Sequence, residues 1–204
     1  SAAITTQVSE STVKVEGDAC SRIQDGSGFA AATDTIVTNA HVVAGEPAGH
    51  TRVLLVNGTT LRATVVVFDP DRDLAVLHVS GLRGTPLVTA TGSVGTTGAV
   101  FGHPGGQDQL VAAPAAIRQE VTAIGRDLYD RHDTRRDVFI LAAELHPGDS
   151  GGPLVDQNGA VVGVAFAIAP DQPGTSYALT TKELTAALAE PRPATVSTGT
   201  CLTG

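Results

Sequence analysis

Short runs of β-branched and other apolar residues recur along the whole chain, with clusters of Gly, Pro, Asn and Asp between them. About a dozen of these runs have the length of a β-strand. A helical pattern is confined to one turn at 39–44 and to the segment 181–189. Asn57-Gly58, which separates two runs, is the dipeptide most typical of a tight hairpin. The sequence therefore predicts an all-β fold, either an antiparallel sandwich or a pair of barrels.

Length and charge restrict the architecture and the partners. The 204 residues, 42% of them hydrophobic, suffice for one sizeable globular unit or two small units packed together. The formal net charge is −8 and no basic cluster stands clear of acidic neighbours, so we expect no nucleic-acid partner and no attraction to an anionic membrane surface. No apolar run reaches the roughly 18 residues that span a bilayer, and the first residues lack the pattern of a signal peptide. We therefore expect that any targeting or anchoring segment has been removed.

The two cysteines, Cys20 and Cys201, lie near opposite ends of the chain. They do not form a CxxC motif, and two thiols are too few for a zinc site without histidines at ligand spacing, so we predict no metal site. Either they form a disulfide, which is the favoured interpretation, or both are buried free thiols. A disulfide would close a loop of about 180 residues, for which the chain-entropy model gives at most roughly 5 kcal/mol. It would also indicate an oxidising compartment.

The sequence Gly-Asp-Ser-Gly-Gly-Pro at 148–153 is the strongest functional signal. Three glycines around one serine permit backbone conformations closed to other residues, and they let a substrate carbonyl approach main-chain N–H groups closely. Pro153 then blocks easy continuation into a helix. The pattern favours a turn that exposes Ser150 as a nucleophile, although a glycine-rich turn with an incidental serine has the same appearance.

A serine hydroxyl needs a base to remove its proton, and six histidines compete for that role. His41 is favoured because it follows an apolar strand in a short turn, where its ring can face a cleft. His78 lies inside a strand and is expected to be structural. His146 is close to Ser150 in sequence but lies on the approach to the serine turn, so it is a lesser candidate. The remaining histidines lie in glycine-rich or charged loops and are expected to be solvated: His50, His103 and His132.

The base in turn needs a group that holds its tautomer, and three closely spaced carboxylates precede the apolar run that begins at Leu74. Asp73 is favoured because it adjoins that run and can be semi-buried. Asp69 and Asp71 flank a proline turn and are expected to be solvated. Taken alone, all three could equally be turn-forming residues.

Three motifs taken together, Thr38–Val43, Asp73–Leu77 and Gly148–Pro153, resemble those of the chymotrypsin-fold serine proteases, in which His, Asp and Ser occur in this order. The Gly-Ser-Gly-Phe sequence at 26–29 and the Asp-Leu-Ala-Val-Leu form of the acid motif look closest to the bacterial HtrA (Deg) branch. The terminal cysteines and the Phe-Gly-His-Pro-Gly-Gly segment at 101–106 are similar to the periplasmic domains of actinobacterial membrane-anchored acid-resistance proteases. The resemblance covers nearly the whole chain.

The resemblance implies a fold of two antiparallel six-stranded β-barrels with a short C-terminal helix. Residues 1–95 would form the barrel that carries His41 and Asp73, and residues 96–204 the barrel that carries Ser150. The two barrels together would form one catalytic domain.

The resemblance also implies that the chain is a serine endopeptidase without a cofactor. His41 would be the general base, Asp73 its orienting acid and Ser150 the nucleophile, with the N–H groups of Gly148 and Ser150 as the oxyanion hole. The partner would be a protein or peptide substrate bound as an added β-strand. The isolated domain would be a monomer, part of a membrane-anchored protein outside the cytoplasm that acts in envelope or acid stress.

Substrate preference is less well indicated. By resemblance, Glu144, six residues before Ser150, lies either at the base of the specificity pocket or in solvent. A pocket wall would come from Val164, Ala165 and Phe166. An acidic base would favour Lys or Arg before the cleaved bond.

Two features depart from the family pattern, and two other functions compete. HtrA proteins carry a PDZ domain after the protease, but only a short tail follows the last predicted helix, so peptide-sensing regulation is in doubt. Asp149 is expected to be a structural turn residue, because no zymogen-type N-terminus is present to pair with it.

The serine motif also fits the G-x-S-x-G elbow of esterases and acyltransferases, which need a histidine after the serine, and none follows His146. A catalytically weak peptide-binding module of the same fold is the second alternative.

Overall fold

The computed structural model describes residues 1–203 and contains two antiparallel barrels of six strands each. The strands of the first barrel are β1 (Thr12–Ala19), β2 (Arg22–Ala32), β3 (Thr35–Thr38), β4 (Thr51–Leu54), β5 (Thr60–Asp69) and β6 (Leu74–His78). Those of the second are β7 (Thr97–Gly102), β8 (Val111–Arg126), β9 (Asp133–Ala142), β10 (Pro153–Asp156), β11 (Val161–Ile168) and β12 (Thr175–Thr180). The α-helices are α1 (Ala2–Glu10), α2 (Ala40–Val43) and α3 (Thr181–Leu188), and a 3-10 turn covers Pro104–Gly106.

Both barrels have the same strand order. The first runs β1-β2-β3-β6-β5-β4 and is closed by the pairing of β4 with β1. The second runs β7-β8-β9-β12-β11-β10 and is closed by the pairing of β10 with β7. The prediction of two antiparallel six-stranded barrels with a short C-terminal helix is therefore confirmed. The proposed domain division at residue 95 falls in the segment that joins β6 to β7.

An apolar cluster between the barrels holds them together. Phe29, Val37 and Leu74 of the first barrel are fully buried in it. The second barrel and the terminal helices complete the cluster with Val8, Phe101, Val155, Leu179 and Leu184. Because burial of each large apolar side chain stabilises the fold by about 1.5–3 kcal/mol, this cluster is a major source of the cohesion between the two barrels. The loops that carry the candidate catalytic residues meet at the same junction.

Several element boundaries differ from those that the sequence suggests. Strand β1 was not predicted, because Lys14, Glu16 and Asp18 interrupt its apolar pattern, yet it is paired on both sides, with β2 and β4. The sequence predicts separate strands at 110–113 and 116–124, but the structure has one strand there, β8, in which Pro114 is accommodated opposite Ala99. The sequence also predicts a strand at 87–89, but that segment contributes only one isolated bridge, from Thr89 to Val161.

The predicted disulfide between Cys20 and Cys201 is present, with the two Cα atoms 5.7 Å apart. It joins the β1–β2 turn to the C-terminal tail. Gly45 packs directly against it, since a Cβ at that position would lie 2.9 Å from Cys20 Sγ and 3.0 Å from Cys201 Sγ. No helix among the described residues is long and apolar enough to cross a membrane.

A buried carboxyl group lies beside this crosslink. Glu46 is only 3% exposed, and its side chain occupies the space left open by the missing side chain of Gly17. Thr51 Oγ1 donates to Glu46 Oε1 at 2.7 Å, and Gln24 Nε2 donates to Oε2 at 3.0 Å. Burial raises the pKa of Glu46 above 4.5, although these two hydrogen bonds act in the opposite direction.

Glu46 should make the stability of the fold depend on pH. A carboxyl with a raised pKa in the folded state favours folding most when it is protonated, so its contribution is present below 4.5 and is lost as the pH rises through the folded value. We expect Glu46→Gln to gain stability relative to the wild type as the pH rises above 4.5. Urea unfolding at a series of pH values measures this difference. The matched control is Glu120→Gln, at an exposed position, and a Glu46→Gln difference that does not increase with pH would contradict the prediction.

Candidate active site

His41 and Asp73 form a short, direct hydrogen-bonded pair. Strand β3 ends at Thr38, and the one-turn helix α2 then places His41 beside the residue that precedes β6. His41 Nδ1 lies 2.6 Å from Asp73 Oδ2, and the backbone N–H of His41 donates to Asp73 Oδ1 at 2.8 Å. The two carboxylate oxygens therefore hold one histidine, Oδ2 at its ring and Oδ1 at its backbone, and Nε2 is left as the ring nitrogen available for proton transfer.

Asp73 is held in an unusual backbone conformation. Its φ of +58° lies in the left-handed region, which Asp tolerates better than most residues. Asn39, fully buried, donates from Nδ2 to the Asp73 carbonyl at 2.9 Å. Such a conformation persists only where the surroundings fix it, and it is common at active sites.

The two neighbouring carboxylates have other partners. Asp69 is only 6% exposed, so the prediction that it is solvated is wrong. Its oxygens accept from the N–H groups of Asp71 and Arg72 and from Arg72 Nη1, an arrangement that closes the turn before β6. Asp71 is exposed, as predicted, and contacts His132 at 2.8 Å.

The charge of Asp73 controls the basicity of His41. Burial disfavours the imidazolium and would lower the pKa, but the negative charge of Asp73 and its hydrogen bond outweigh burial and raise the pKa of His41 above 6.5. The side chain of His41 remains 29% exposed, whereas that of Asp73 is 9% exposed. The pair therefore consists of a shielded carboxylate and an accessible base.

The serine motif forms a compact turn at the mouth of the second barrel. The N–H of Asp149 donates to the carbonyl of His146 at 3.0 Å, with Pro147 and Gly148 as the central residues. Gly148 has a φ of +102°, and a type II turn requires a positive φ at this position. Asp149 is 5% exposed and accepts from the N–H of His146 at 2.8 Å, a contact that agrees with its predicted structural role.

Ser150 is placed against the first barrel by its backbone. Its carbonyl accepts a hydrogen bond of 2.7 Å from the N–H of Ser27 on β2. A Cβ at Gly26 would lie 2.5 Å from Val42, the neighbour of His41, and 3.1 Å from the Ser150 carbonyl oxygen. The structure thus brings Ser150 to the helix that carries His41. Within residues 1–203 no hydrogen bond joins the Ser150 hydroxyl to His41, a geometry that often tightens only when substrate binds.

Two N–H groups beside the serine are free to bind an oxyanion. Within the described chain, the N–H groups of Gly148 and Ser150 donate to no protein acceptor. The carbonyl of Pro147 accepts from Gly105 N at 2.6 Å. Because the N–H and C=O of a trans peptide point in opposite directions, the Gly148 N–H points away from the 104–106 turn.

None of the other five histidines makes a hydrogen bond to Ser150 within the described residues, and none has its ring paired with a buried carboxylate as His41 has. His103, predicted to be solvated, is only 3% exposed and packs with its loop against the serine turn, so that prediction is wrong. Its Nδ1 is 3.1 Å from the Gln107 carbonyl, and burial lowers its pKa. His78 is exposed at the end of β6 and contacts Ser80, rather than lying within a structural network. The remaining histidines, His50, His132 and His146, are exposed. Exposure was predicted for the first two.

The residues predicted to contact substrate lie in different environments. Glu144 is exposed, and its Oε2 lies 3.9 Å from the position that a Cβ on Gly174 would take. Val164 and Ala165 are almost fully buried, Val164 in the apolar cluster between the barrels and Ala165 in the core of the second barrel. Phe166 is half-buried and makes no pair with β12, because β11 bulges between Ala165 and Ala167.

An accessible His–Asp pair on one six-stranded barrel and a glycine-rich serine turn on the other, joined at the barrel junction, define the chymotrypsin class of serine proteases. A family model for the trypsin-like peptidase domain matches residues 26–164. The chain belongs to this family.

Similar relatives include bacterial serine proteases. The serine protease Rv3671c of Mycobacterium tuberculosis is 39% identical over 200 residues, which are 94% of this chain and 49% of the relative. A probable periplasmic DegP-like serine endoprotease of Chlamydia trachomatis is 35% identical over 148 residues, 70% of this chain and 28% of the relative. The chain thus spans about half the length of the first of these proteins and less of the second. The predicted resemblance to the HtrA (Deg) branch is confirmed.

Solved structures give the same result. The crystal structure of the Rv3671c protease from M. tuberculosis in its active form has a TM-score of 0.93 with 37% identity, and the match covers 98% of this chain and 89% of that one. The inactive form of the same protease has a TM-score of 0.80 with 38% identity, and the match covers 91% of each chain. The present chain is therefore closer to the active form in its backbone.

The pKa of His41 can be measured directly. In a Ser150→Ala background, which prevents self-digestion, we expect His41 to titrate above 6.5 by NMR of its ring resonances. Asp73→Asn should lower the midpoint, because the burial that disfavours the imidazolium remains while the compensating charge is lost. Asp71→Asn, which removes an exposed carboxylate two residues away, should leave the midpoint unchanged. A midpoint below 6.5 with Asp73 intact would show that burial dominates.

Proposed function

We propose that this chain is the catalytic domain of a serine endopeptidase that hydrolyses peptide bonds of protein substrates through an acyl-enzyme on Ser150. The observation that carries the proposal is the 2.6 Å contact of Asp73 with His41, which lies on the helix beside Ser150. Among the described residues, the N–H groups of Gly148 and Ser150 have no protein acceptor. A structural histidine would not need a shielded carboxylate that holds both its ring nitrogen and its backbone N–H.

Each residue has a defined role in the reaction. Ser150 Oγ attacks the substrate carbonyl while His41 Nε2 takes its proton, and Asp73 holds the opposite N–H and stabilises the imidazolium. The N–H groups of Gly148 and Ser150 bind the oxyanion of the tetrahedral intermediate. His41 then gives its proton to the leaving amine. A water molecule, activated by the same base, hydrolyses the acyl-enzyme and restores Ser150.

The peptide substrate would bind as an added strand along the end of β11. Strand β10 pairs with β11 only as far as Val164, whereas β12 pairs with β11 as far as Ile168. Ala167 and Ile168 therefore have a partner strand on one side only, and Phe166 lies in the bulge that precedes them. An open edge beside the serine turn can form main-chain hydrogen bonds with an extended peptide, and Phe166 lies there to contact its side chains.

The location of the protein would be outside the cytoplasm, as a domain of a membrane-anchored parent. The disulfide between Cys20 and Cys201 supports an oxidising compartment, and one relative is named a probable periplasmic endoprotease. A role in envelope or acid-stress proteolysis follows from the family resemblance alone. The isolated domain would be a monomer.

Substitution of the three residues should separate their roles. We expect Ser150→Ala to lower kcat on an unfolded protein such as casein by about six orders of magnitude, and His41→Ala to be nearly as severe, because the residues of a triad act as a unit. Asp73→Asn should cost about 10⁴, since it lets the imidazole take the wrong tautomer. Asp71→Asn is the matched control. Full activity in Asp73→Asn together with loss in Asp71→Asn would show that the acid is wrongly assigned.

A fluorophosphonate probe distinguishes an enzyme from a peptide-binding module of the same fold. The wild type should be labelled at Ser150 and the His41→Ala variant should not, because labelling requires the activated hydroxyl. Peptide binding without labelling of the folded wild type would favour the binding module. The esterase alternative is contradicted by the antiparallel barrels, because that motif belongs to a fold with parallel strands and a histidine after the serine.

Glu144 would favour a basic residue before the cleaved bond. Because it is exposed, its charge is screened by solvent, so we expect Glu144→Gln to reduce kcat/KM on Lys and Arg peptides by only about fivefold, the effect of an exposed ion pair. Peptides with Leu at the same position should be unaffected, and Glu120→Gln controls for the change in net charge. Equal effects on basic and apolar peptides would place Glu144 outside the pocket.

A further inference from the structure

Ser27 connects the first barrel to the serine turn of the second. It lies on β2 and is fully buried. Its backbone N–H donates to the Ser150 carbonyl at 2.7 Å, and its hydroxyl donates to the Gly148 carbonyl at 2.8 Å. One residue of the first barrel therefore binds the carbonyls on both sides of Asp149.

The hydroxyl of Ser27 also joins a third segment. The N–H of His103 donates to Ser27 Oγ at 2.9 Å, and the 3-10 turn that follows His103 supplies Gly105, which binds the Pro147 carbonyl. The carbonyls of Pro147 and Gly148 are therefore held by one connected group of hydrogen bonds. Those two carbonyls flank the N–H that would bind the oxyanion.

Only a group that donates and accepts at once fits this position. Without the hydroxyl, the His103 N–H and the Gly148 carbonyl would both lose their partner in a buried site, which is unfavourable for each. Thr38 Oγ1 donates to the Ser27 carbonyl at 2.7 Å and fixes the residue from the other side. All hydrogen-bonding groups of Ser27 are thus used within the protein.

The conformation of Gly148 explains why this matters for catalysis. A glycine with a φ of +102° can leave that conformation without a steric cost from a side chain, so external contacts must hold it. A turn about Gly148 would redirect the N–H that faces the reaction centre. Oxyanion donors are effective only where their direction is fixed before the charge develops.

We infer that Ser27 is a positioning residue for the oxyanion hole: its hydroxyl, held by His103, fixes Gly148 so that the Gly148 N–H points to the developing oxyanion. Ser27 does not touch substrate and acts through Gly148. This inference rests on the proposed serine endopeptidase function and assigns to the Gly-Ser-Gly-Phe sequence a role beyond packing.

The test compares Ser27→Ala with Ser11→Ala. Ser11 is also buried, 4% exposed, and its hydroxyl donates to the Thr85 carbonyl at 2.7 Å, away from the serine turn. Ser27→Ala should lower kcat on a peptide substrate by about 10²-fold, as expected for loss of one oxyanion donor, with KM changed less than twofold. Affinity for a peptide boronate, which mimics the tetrahedral intermediate, should fall in parallel. Ser11→Ala should keep wild-type kcat.

Two measurements distinguish a failure of this inference from a failure of the proposed function and from misfolding of the variant. Amide NMR of Ser27→Ala should show faster hydrogen exchange at His103 and a changed Gly148 resonance, whether or not the protein is an enzyme. Ser27→Cys keeps nearly the same volume with a weaker donor and should lose less kcat than Ser27→Ala. Wild-type kcat and boronate affinity in Ser27→Ala, or an unchanged Gly148 amide, would overturn the inference and leave the protease assignment intact. A folded wild type that the fluorophosphonate fails to label would instead overturn the proposed function.

Discussion

The two halves of the candidate active site belong to different barrels, and the contact surface between the barrels is what brings them together. His41 and Asp73 lie on the first barrel and Ser150 on the second. The apolar cluster around Phe29, Leu74 and Leu179 supplies the cohesion, and it has no directional specificity. Hydrogen bonds across the junction, such as that from the Ser27 N–H to the Ser150 carbonyl, fix the orientation of one barrel on the other. The precision of the site therefore depends on glycines that allow the two backbones to approach, since a Cβ at Gly151 would collide with the Ser27 carbonyl oxygen.

The sequence was sufficient to identify those features that depend on local pattern. His41, Asp73 and Ser150 each stand in a short motif whose neighbours fix the local backbone, and their order identified the family. Asn57-Gly58 correctly marked the β4–β5 hairpin. Strand β1 was not predicted because its charged residues interrupt the pattern of apolar residues. It is a strand because it pairs with β2 on one side and β4 on the other.

Burial of polar groups was where sequence reasoning failed. Asp69 and His103 both lie in segments rich in turn-forming residues, which favours a solvated loop. In the fold, Asp69 is covered because Arg72 and two backbone N–H groups turn toward it, and His103 is covered because the serine turn packs on its loop. The Asp69 contacts span only two or three positions, whereas the His103 contact joins residues more than forty positions apart. The role of Ser27 was hidden for the same reason, since its hydroxyl reaches Gly148 across 121 positions of sequence.

The titrating groups of this fold respond to acid in opposite directions. Protonation of Glu46 favours the folded state, because its buried carboxyl has a raised pKa. Protonation of His41 removes the base, and because Asp73 raises the pKa of His41, turnover begins to fall at a higher pH than for an isolated imidazole. Acid therefore adds folding stability through Glu46 and removes catalytic base through His41. Substrates that unfold in acid would then offset the slower chemistry, because an endopeptidase that binds extended strands acts on unfolded chains first.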